Sequence, residues 1–262
     1  MPTAFEIEKS LFDLSPKSGA MDWDNVGLLV GDPAAEIQRV LVALDATESV
    51  ADEAASKGCE LIVSHHPIMN CRWLPVQSLR EDTPQGRLLR KLTRANMSVI
   101  CMHTNLDVAK GGVNDVLART LRLEDPGPFL EDGLGRIGQL PAPMALEDFV
   151  ARVSAALGCC GVRYADAGKP VRRVAVGGGA CGEYTDAAAA AGCDTFVTAD
   201  LNYHAFLDAA GKGVNLIDAG HFPTEDPICQ VLVSYLQDKF PALFVEKSAS
   251  HREVIQYYVK GE

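Results

Sequence analysis

"RVLVALDATESVADEAASKGCELIVS", residues 39–64, and "RVAVGGGACGEYTDAAAAAGCDTFVT", residues 173–198, align with each other without a gap. Both begin with Arg-Val, and both carry a Gly-Cys pair at the same position. Each segment has the pattern of a β-branched strand, an alanine-rich helix ended by glycine, and a second strand. Such a unit favours two parallel strands joined by a right-handed crossover.

The repeat predicts an α/β protein with two similar, duplicated domains and mostly parallel sheets. A further strand follows each copy, at 97–103 and 213–221. Chance similarity between two α/β segments is the alternative, because valine-rich strands and alanine-rich helices are common. The gapless length and the matched Arg and Gly-Cys positions favour duplication.

A segment rich in glycine and proline, residues 124–143, has the composition of a divide between the two halves. We therefore expect a first domain at 1–125 and a second at 126–244. The last strand, "EVIQYYVKG" within about 245–262, is expected to return to the first domain.

Composition restricts the class of protein. The 262 residues are 47% hydrophobic and carry a formal net charge of −11, which disfavours nucleic acid as a partner. No apolar run reaches the ~20 residues of a membrane span, and the N-terminus lacks the pattern of an export signal. The eight cysteines include no C-x-x-C pair, so we expect reduced thiols in a cytoplasmic protein.

Histidines and carboxylates cluster after predicted strands. His65 and His66 follow the strand 61–64, and Asp107 follows the next strand. His221 and Glu225 follow the corresponding strand of the second half. In open α/β sheets, ligands bind outside the carboxyl ends of the strands. The spacing therefore predicts a functional site made from these residues.

The pair His65-His66 precedes Pro67, which holds the preceding residue in extended geometry. Two imidazoles that splay at a strand end can each bind a different ion of a metal pair. A carboxylate such as Asp107 or Glu225 can bridge such a pair. Three imidazoles and two carboxylates suit two divalent ions per chain, with Zn, Fe, Mn and Co all open. The alternative is a set of ordinary loop residues, with Thr224 capping a helix that starts at 225.

Other residues are assigned to the surroundings of this site. His103 is predicted to bind substrate or to support the ligands and, with Glu225, is a candidate for proton transfer. Asp45 is expected to orient a ligand imidazole. We interpret the remaining candidates as structural or peripheral: Trp23 as a packing residue, His204 as a helix-surface residue, His251 as peripheral, and Gly177-Gly178-Gly179 as a tight turn, with phosphate binding as the less favoured alternative.

Six motifs occur in a fixed order along nearly the whole chain: "DWDNVGLLVG" at 22–31, "SHHP" at 64–67, "HTNLD" at 103–107, "GLGRIGQL" at 133–140, "VGGGACGE" at 176–183 and "AGHFPTE" at 219–225. Their combination resembles the NIF-three-like family (NGG-one interacting factor three). Bacterial members are often labelled type 2 GTP cyclohydrolase I homologues. The second repeat begins too soon to leave room for an inserted domain, so the chain resembles the short form.

The resemblance implies two similar α/β domains, a dinuclear metal site in the cleft between them, and a toroidal homohexamer. The family's metal ligands match His65, His66, Asp107, His221 and Glu225. The reaction of the family is poorly settled, so its label indicates less about chemistry than the metal motifs do.

Two functions remain open from the sequence. The first is a metal-dependent hydrolase of a small polar or nucleotide substrate, with metal-activated water as the nucleophile. The second is a non-enzymatic protein that binds or delivers metal, or a ring-shaped scaffold.

Overall fold

The computed structural model describes residues 1–258, which form eleven β-strands and ten α-helices. They divide into two compact units. The first contains Met1–Ala109 and Ile228–Arg252, and the second contains Lys110–Pro227 and residues 253–258. Their limits differ from the predicted domain limits, because 110–125 lies in the second unit and 228–244 in the first. Within residues 1–258, no helix is both long and apolar enough to cross a lipid bilayer.

The first unit is built on a five-stranded sheet. Its strands are β1 (Gly27–Val30), β2 (Arg39–Ala43), β3 (Leu61–Ser64), β4 (Ser98–Cys101) and β11 (Phe244–Lys247), in the order β1-β4-β3-β2-β11. Its helices are α1 (Ala4–Leu14), α2 (Glu48–Ser56), α3 (Pro84–Arg94), α4 (Thr104–Val108) and α10 (Pro227–Lys239). All neighbouring strands are parallel except the edge strand β1, which is antiparallel to β4.

The central strands of this sheet are apolar on both faces. Leu61, Ile62 and Val63 of β3 are fully buried, as expected for a parallel strand covered on both sides. Thr47 caps α2 by accepting a hydrogen bond from the amide of Val50, which ends the loop that follows β2.

The second unit contains a six-stranded sheet. Its strands are β5 (Glu124–Pro128), β6 (Arg136–Met144), β7 (Arg163–Ala165), β8 (Val171–Val176), β9 (Thr195–Thr198) and β10 (Asn215–Asp218), in the order β5-β6-β8-β9-β10-β7. Its helices are α5 (Val113–Thr120), α6 (Leu146–Leu157), α7 (Thr185–Ala190), α8 (Tyr203–Lys212) and α9 (His221–Glu225).

Only β8, β9 and β10 are parallel neighbours in this second sheet. The prediction of mostly parallel sheets is therefore wrong for this unit, whose sheet is mixed. The cause lies in the segment 124–143, interpreted from its composition as a divide. It forms most of the antiparallel pair β5–β6. The prolines of β5 are tolerated because β5 is an edge strand, and those of β6 lie where its register with β8 is interrupted, between Gln139 and Met144.

The two matched sequence segments have the same local structure. In the first unit, Val40 of β2 pairs with Leu61 of β3 in parallel register. In the second, Val174 of β8 pairs with Thr195 of β9, which are the residues aligned with that pair in the repeat. The predicted strand–helix–strand pattern is present in both copies.

The C-terminal segment differs from the prediction. Residues 253–258 form no strand, and the rest of "EVIQYYVKG" lies outside the described residues. The strand that joins the first sheet is β11, which pairs with β2 in parallel. Glu53 of α2 then holds the following residues by accepting hydrogen bonds from the Ser248 hydroxyl, at 2.6 Å, and the Ser250 amide, at 2.9 Å.

Candidate metal centre

The His65-His66 pair lies where β3 ends. The amides of both residues still donate to the carbonyl of Leu44, at 3.1 and 2.9 Å, so the backbone stays beside the end of β2. The Ser64 hydroxyl donates to the His66 carbonyl at 2.9 Å and closes the turn before Pro67. The two imidazole centroids are 5.0 Å apart with ring planes at 44°. The adjacent rings are therefore splayed, as the sequence predicted.

Three histidines of the first unit are fixed through the same ring nitrogen. Nδ1 lies 2.8 Å from the Met102 carbonyl in His65, 2.8 Å from Asp45 in His66, and 2.8 Å from Asp24 in His103. A carbonyl only accepts hydrogen bonds, so Nδ1 of His65 carries the proton. In the neutral tautomer, Nε2 then holds the lone pair that binds metal.

His103 joins the pair to make a cluster of three imidazoles, here called the histidine cluster (His65, His66 and His103). Its ring centroid lies 5.1 Å from that of His65 and 5.6 Å from that of His66. One nitrogen of each ring lies within 4.8 Å of the others, which is a grouping able to hold a metal ion.

Asp24 contacts the histidine cluster, although sequence reasoning did not single it out. Its carboxylate accepts hydrogen bonds from the Thr104 amide and hydroxyl as well as contacting His103. Burial disfavours its charge, but the bonds from His103 and Thr104 outweigh it and lower the pKa of Asp24 to about 2. The signal in the sequence was its place in the motif "DWDNVGLLVG".

Asp107 supplies a carboxylate to the histidine cluster. It lies on α4, which starts directly after β4, and its amide donates to the His103 carbonyl at 3.1 Å. One carboxylate oxygen is 3.5 Å from Nε2 of His65. The structure therefore brings together the three predicted ligands of the first unit: His65, His66 and Asp107.

Asp45 lies between two imidazoles, at 2.8 Å from His66 Nδ1 and 2.9 Å from His251 Nε2. Although partial burial opposes ionisation, these two bonds hold the pKa of Asp45 well below its usual range. Its predicted role beside a ligand imidazole agrees with this contact. The interpretation of His251 as peripheral is wrong, because the attachment of Ser248–Ser250 to Glu53 brings this distant residue to Asp45.

His221 and Glu225 lie one turn apart on α9 of the second unit. His221 Nε2 is 3.1 Å from Glu225, and its Nδ1 is 2.7 Å from Asp200. Burial lowers the pKa of His221, but the two carboxylates outweigh that effect and raise it to about 11. The two carboxylates therefore favour the protonated ring, and a metal ion would compete with that proton. Asp200 occupies the position in the repeat that His66 holds in the first copy.

The glycines of the loop after β8 make room for Glu225. A Cβ added to Gly179, whose φ is +64°, would lie 2.2 Å from a carboxylate oxygen of Glu225. The amides of Gly177, Gly178 and Gly179 donate to Val197, Asn114 and Thr224, respectively. Because these three donors are engaged within the unit, the loop is a tight turn against Glu225 and not a phosphate cradle.

Two further residues of the second unit are accounted for. Thr224 does not cap the helix that follows, because its hydroxyl bonds to the Gly220 carbonyl and the Gly179 amide. His204 is exposed on α8, as predicted.

The donors present fit a divalent transition metal. Imidazole nitrogens and carboxylate oxygens suit Zn, Fe, Mn and Co, and within the described residues no cysteine belongs to the groups able to hold a metal ion. The first unit offers His65, His66, His103 and Asp107, and the second offers His221 and Glu225.

A cavity of about 430 Å³ in the first unit adjoins His66. Its lining includes Thr47 and Gln85 at the starts of α2 and α3, together with the apolar side chains of Ile68 and Leu88. This volume lies in the range of sites for small molecules.

The family model for DUF34/NIF3 (NGG1p interacting factor 3) matches residues 2–253. The chain belongs to this family. A Streptomyces coelicolor member called "GTP cyclohydrolase 1 type 2 homolog" is 35% identical over 250 residues, covering 91% of this chain and 87% of that protein. The crystal structure of a Bacillus cereus protein related to NIF3 matches with a TM-score of 0.91 and 25% identity, covering 98% of this chain and 99% of that one. A Staphylococcus aureus hypothetical protein matches with a TM-score of 0.89 and 30% identity, covering 98% and 100%.

Proposed function

We propose that this NIF3-family protein is a metal-dependent hydrolase of a small polar or nucleotide substrate. Two divalent ions per chain, drawn from Zn, Fe, Mn and Co, are bound by five side chains: His65, His66, Asp107, His221 and Glu225. The observation that carries the proposal is the shared anchoring of the three proposed ligand histidines. In each, Nδ1 is held by a carbonyl or a carboxylate, which leaves Nε2 as the nitrogen for a metal ion. In His221 that nitrogen lies 3.1 Å from Glu225, the other proposed ligand of the second unit.

The two units supply different parts of this site. The first would contribute the adjacent imidazoles of His65 and His66, each able to serve a different ion, and the second would contribute His221 and Glu225, which lie one helical turn apart. Asp107 or Glu225 would supply a carboxylate shared by the two ions. In the aligned repeat, Asp200 stands at the position of His66 in the first copy, and it contacts His221. We attribute this difference between the two copies to duplication followed by divergence.

Bound ions of this class lower the pKa of water toward neutrality, and so supply hydroxide as a nucleophile. His103 would be suited to move a proton beside that water, because Asp24 holds its Nδ1 and the proton can be exchanged at Nε2. Glu225 is the second candidate for this role.

The cavity beside His66 supports a small substrate. The relatives named as GTP cyclohydrolase homologues suggest attack at a purine C8 as one reaction to assay. Attack at a phosphorus or at an amide carbon uses the same nucleophile. We also propose that the protein is cytoplasmic and forms a homohexamer, as the family resemblance implies. Light scattering on the purified protein tests the hexamer.

The test is a substrate panel of nucleotides, phosphoesters and cyclic amides, run separately with Mn, Fe(II), Zn and Co. We expect turnover with at least one metal, and its loss in His65→Ala and His66→Ala. The matched control is His204→Ala, an exposed histidine on α8, which should retain full activity. Elemental analysis of the same samples should find about two ions per wild-type chain.

Two outcomes oppose the proposal. Reconstituted protein that holds no transition metal refutes the site itself. Protein that holds two ions but converts no member of the panel favours the alternative, a protein that binds or delivers metal.

A further inference from the structure

Both tryptophans of the chain lie side by side in the first unit. The ring centroids of Trp23 and Trp73 are 5.3 Å apart with planes at 55°. Trp23 does pack, as the sequence predicted, but it remains 38% exposed and Trp73 is 56% exposed. Tryptophan is highly buried on average, so folding alone does not account for two exposed indoles in contact.

This indole pair (Trp23 and Trp73) borders the histidine cluster. His103 meets both rings at its edge, with centroid distances of 6.0 Å to Trp23 and 5.6 Å to Trp73. The interplanar angles of 70° and 76° are those of edge-to-face contacts, which leave indole surface open to another ring. A molecule lying on the indoles is therefore about one ring away from the imidazoles.

Hydrogen bonds fix the loops that carry the two indoles. Asn25 donates from its side chain to the Met69 carbonyl at 2.8 Å, which ties the Trp23 loop to the segment before Trp73. Trp73 itself lies in a turn closed by a bond from the Asn70 amide to the Leu74 carbonyl, also at 2.8 Å. A surface held in place before the ligand arrives loses little entropy on binding.

We propose that the indole pair binds a planar heteroaromatic ring of the substrate, such as a nucleobase or a pterin, and so selects ring-bearing molecules. This inference rests on the proposed function in one respect: the ring belongs to the molecule processed at the histidines. Indole faces stack on such rings largely without regard to the hydrogen-bonding pattern of the ring. The indole pair therefore determines the substrate class, and the cavity beside His66 distinguishes among members of that class.

The experiment uses the fluorescence of the protein itself, because the only two tryptophans are the ones in question. Full-length protein, with and without Mn, is titrated with guanosine, uridine and pterin, and excited at the red edge of the indole band. Ribose is the control without a ring, and choline is the control for a cation on an aromatic face. We expect saturable quenching by ring-bearing probes and no response to ribose.

Variants assign the effect to one side chain, with affinities measured by calorimetry. Trp73→Leu should weaken ring binding roughly tenfold or more, since loss of one stacked aromatic costs roughly 5- to 150-fold. Trp73→Phe keeps an aromatic face and should stay within about threefold of wild type. Tyr203→Leu removes an aromatic side chain that is 72% exposed on α8, and should leave binding unchanged.

Three results would overturn the inference: no quenching by any ring-bearing probe up to millimolar concentration, stronger binding of choline than of the rings, or unchanged affinity in Trp73→Leu. Metal content measured on the same samples separates this inference from the proposed function. Ring binding by a wild-type protein that holds no metal supports the indole pair and refutes the hydrolase. Normal metal content without ring binding refutes the role of the indole pair and supports the metal site of the proposed hydrolase.

Discussion

Gly179→Ala tests whether the glycine loop exists to accommodate Glu225. The added Cβ would lie 2.2 Å from a Glu225 carboxylate oxygen and 3.2 Å from Cε1 of His221. Ordinary contact begins near 3.4 Å, so the oxygen has to withdraw by about 1.2 Å. The clashing atom is Oε1, and the 3.1 Å contact with His221 is made by Oε2 of the same carboxylate. Because the carboxylate moves as a unit, we expect this contact to lengthen or break.

The magnitude has two parts. Alanine at the left-handed φ of +64° costs about 1–2 kcal/mol. Loss of a charge-assisted hydrogen bond adds about 1.5–3 kcal/mol. Gly158→Ala is the matched control, because Gly158 has a φ of +66° in the same unit and no atom within 4 Å of an added Cβ. Gly158→Ala should therefore lose only about 1–2 kcal/mol, from backbone strain.

The assay is urea unfolding of both variants in chelator, followed by calorimetric titration with Mn and Zn. We expect Gly179→Ala to be about 1.5–3 kcal/mol less stable than Gly158→Ala. We also expect it to bind metal at least ~10-fold more weakly, which corresponds to about 1.4 kcal/mol. If the two variants unfold at the same urea concentration and bind metal as wild type does, the glycine loop does not serve Glu225.

Three further predictions concern single carboxylates. Glu225→Gln should weaken metal binding, measured by elemental analysis, while circular dichroism shows that the fold persists. The control is Glu147→Gln, at an exposed position in the first turn of α6; equal metal content in the two variants would exclude Glu225 as a ligand. Asp45→Asn should lower metal affinity about 10- to 100-fold, because the His66 ring is no longer held in place. Asp52→Asn, at an exposed position on α2, should leave the affinity unchanged. Titration with Mn compares the two variants, and equal affinities would show that Asp45 does not orient His66. Burial raises the pKa of Glu53, but hydrogen bonds from Lys57 and from residues 248–250 outweigh this effect and lower the pKa. The ionised carboxylate therefore stabilises the fold above the pKa of an unfolded glutamate, near 4.3, and this stabilisation declines as the pH falls further. Glu53→Gln should therefore cost about 1–3 kcal/mol at pH 7, and urea unfolding should show the gap to wild type narrowing below about pH 4; a gap that is constant with pH would contradict this.

Local pattern was enough for much of the fold. The matched segments predicted two parallel strand pairs around a helix, because β-branched runs, alanine-rich stretches and terminal glycines act over a few residues. The placement of His65, His66 and Asp107 together also followed, since the ends of adjacent parallel strands lie at one edge of a sheet.

Pairings between distant residues could not be predicted in this way. The antiparallel β5–β6 pair lacks a clear alternating pattern, so its glycines and prolines resembled a linker. Asp24 and His103 are 79 residues apart, and Asp45 and His251 are 206 apart. No periodicity links such positions, because only packing of the chain brings them within hydrogen-bonding distance.

The sequence by itself therefore determined which side chains stand at the strand ends, and the family they indicate. Only the tertiary structure decided which nitrogen of each imidazole is held, why the loop after β8 must be glycine, and that both tryptophans border His103. The physical reason is that residue type and spacing fix local conformation, whereas hydrogen-bond partners and ring contacts depend on where separate loops meet.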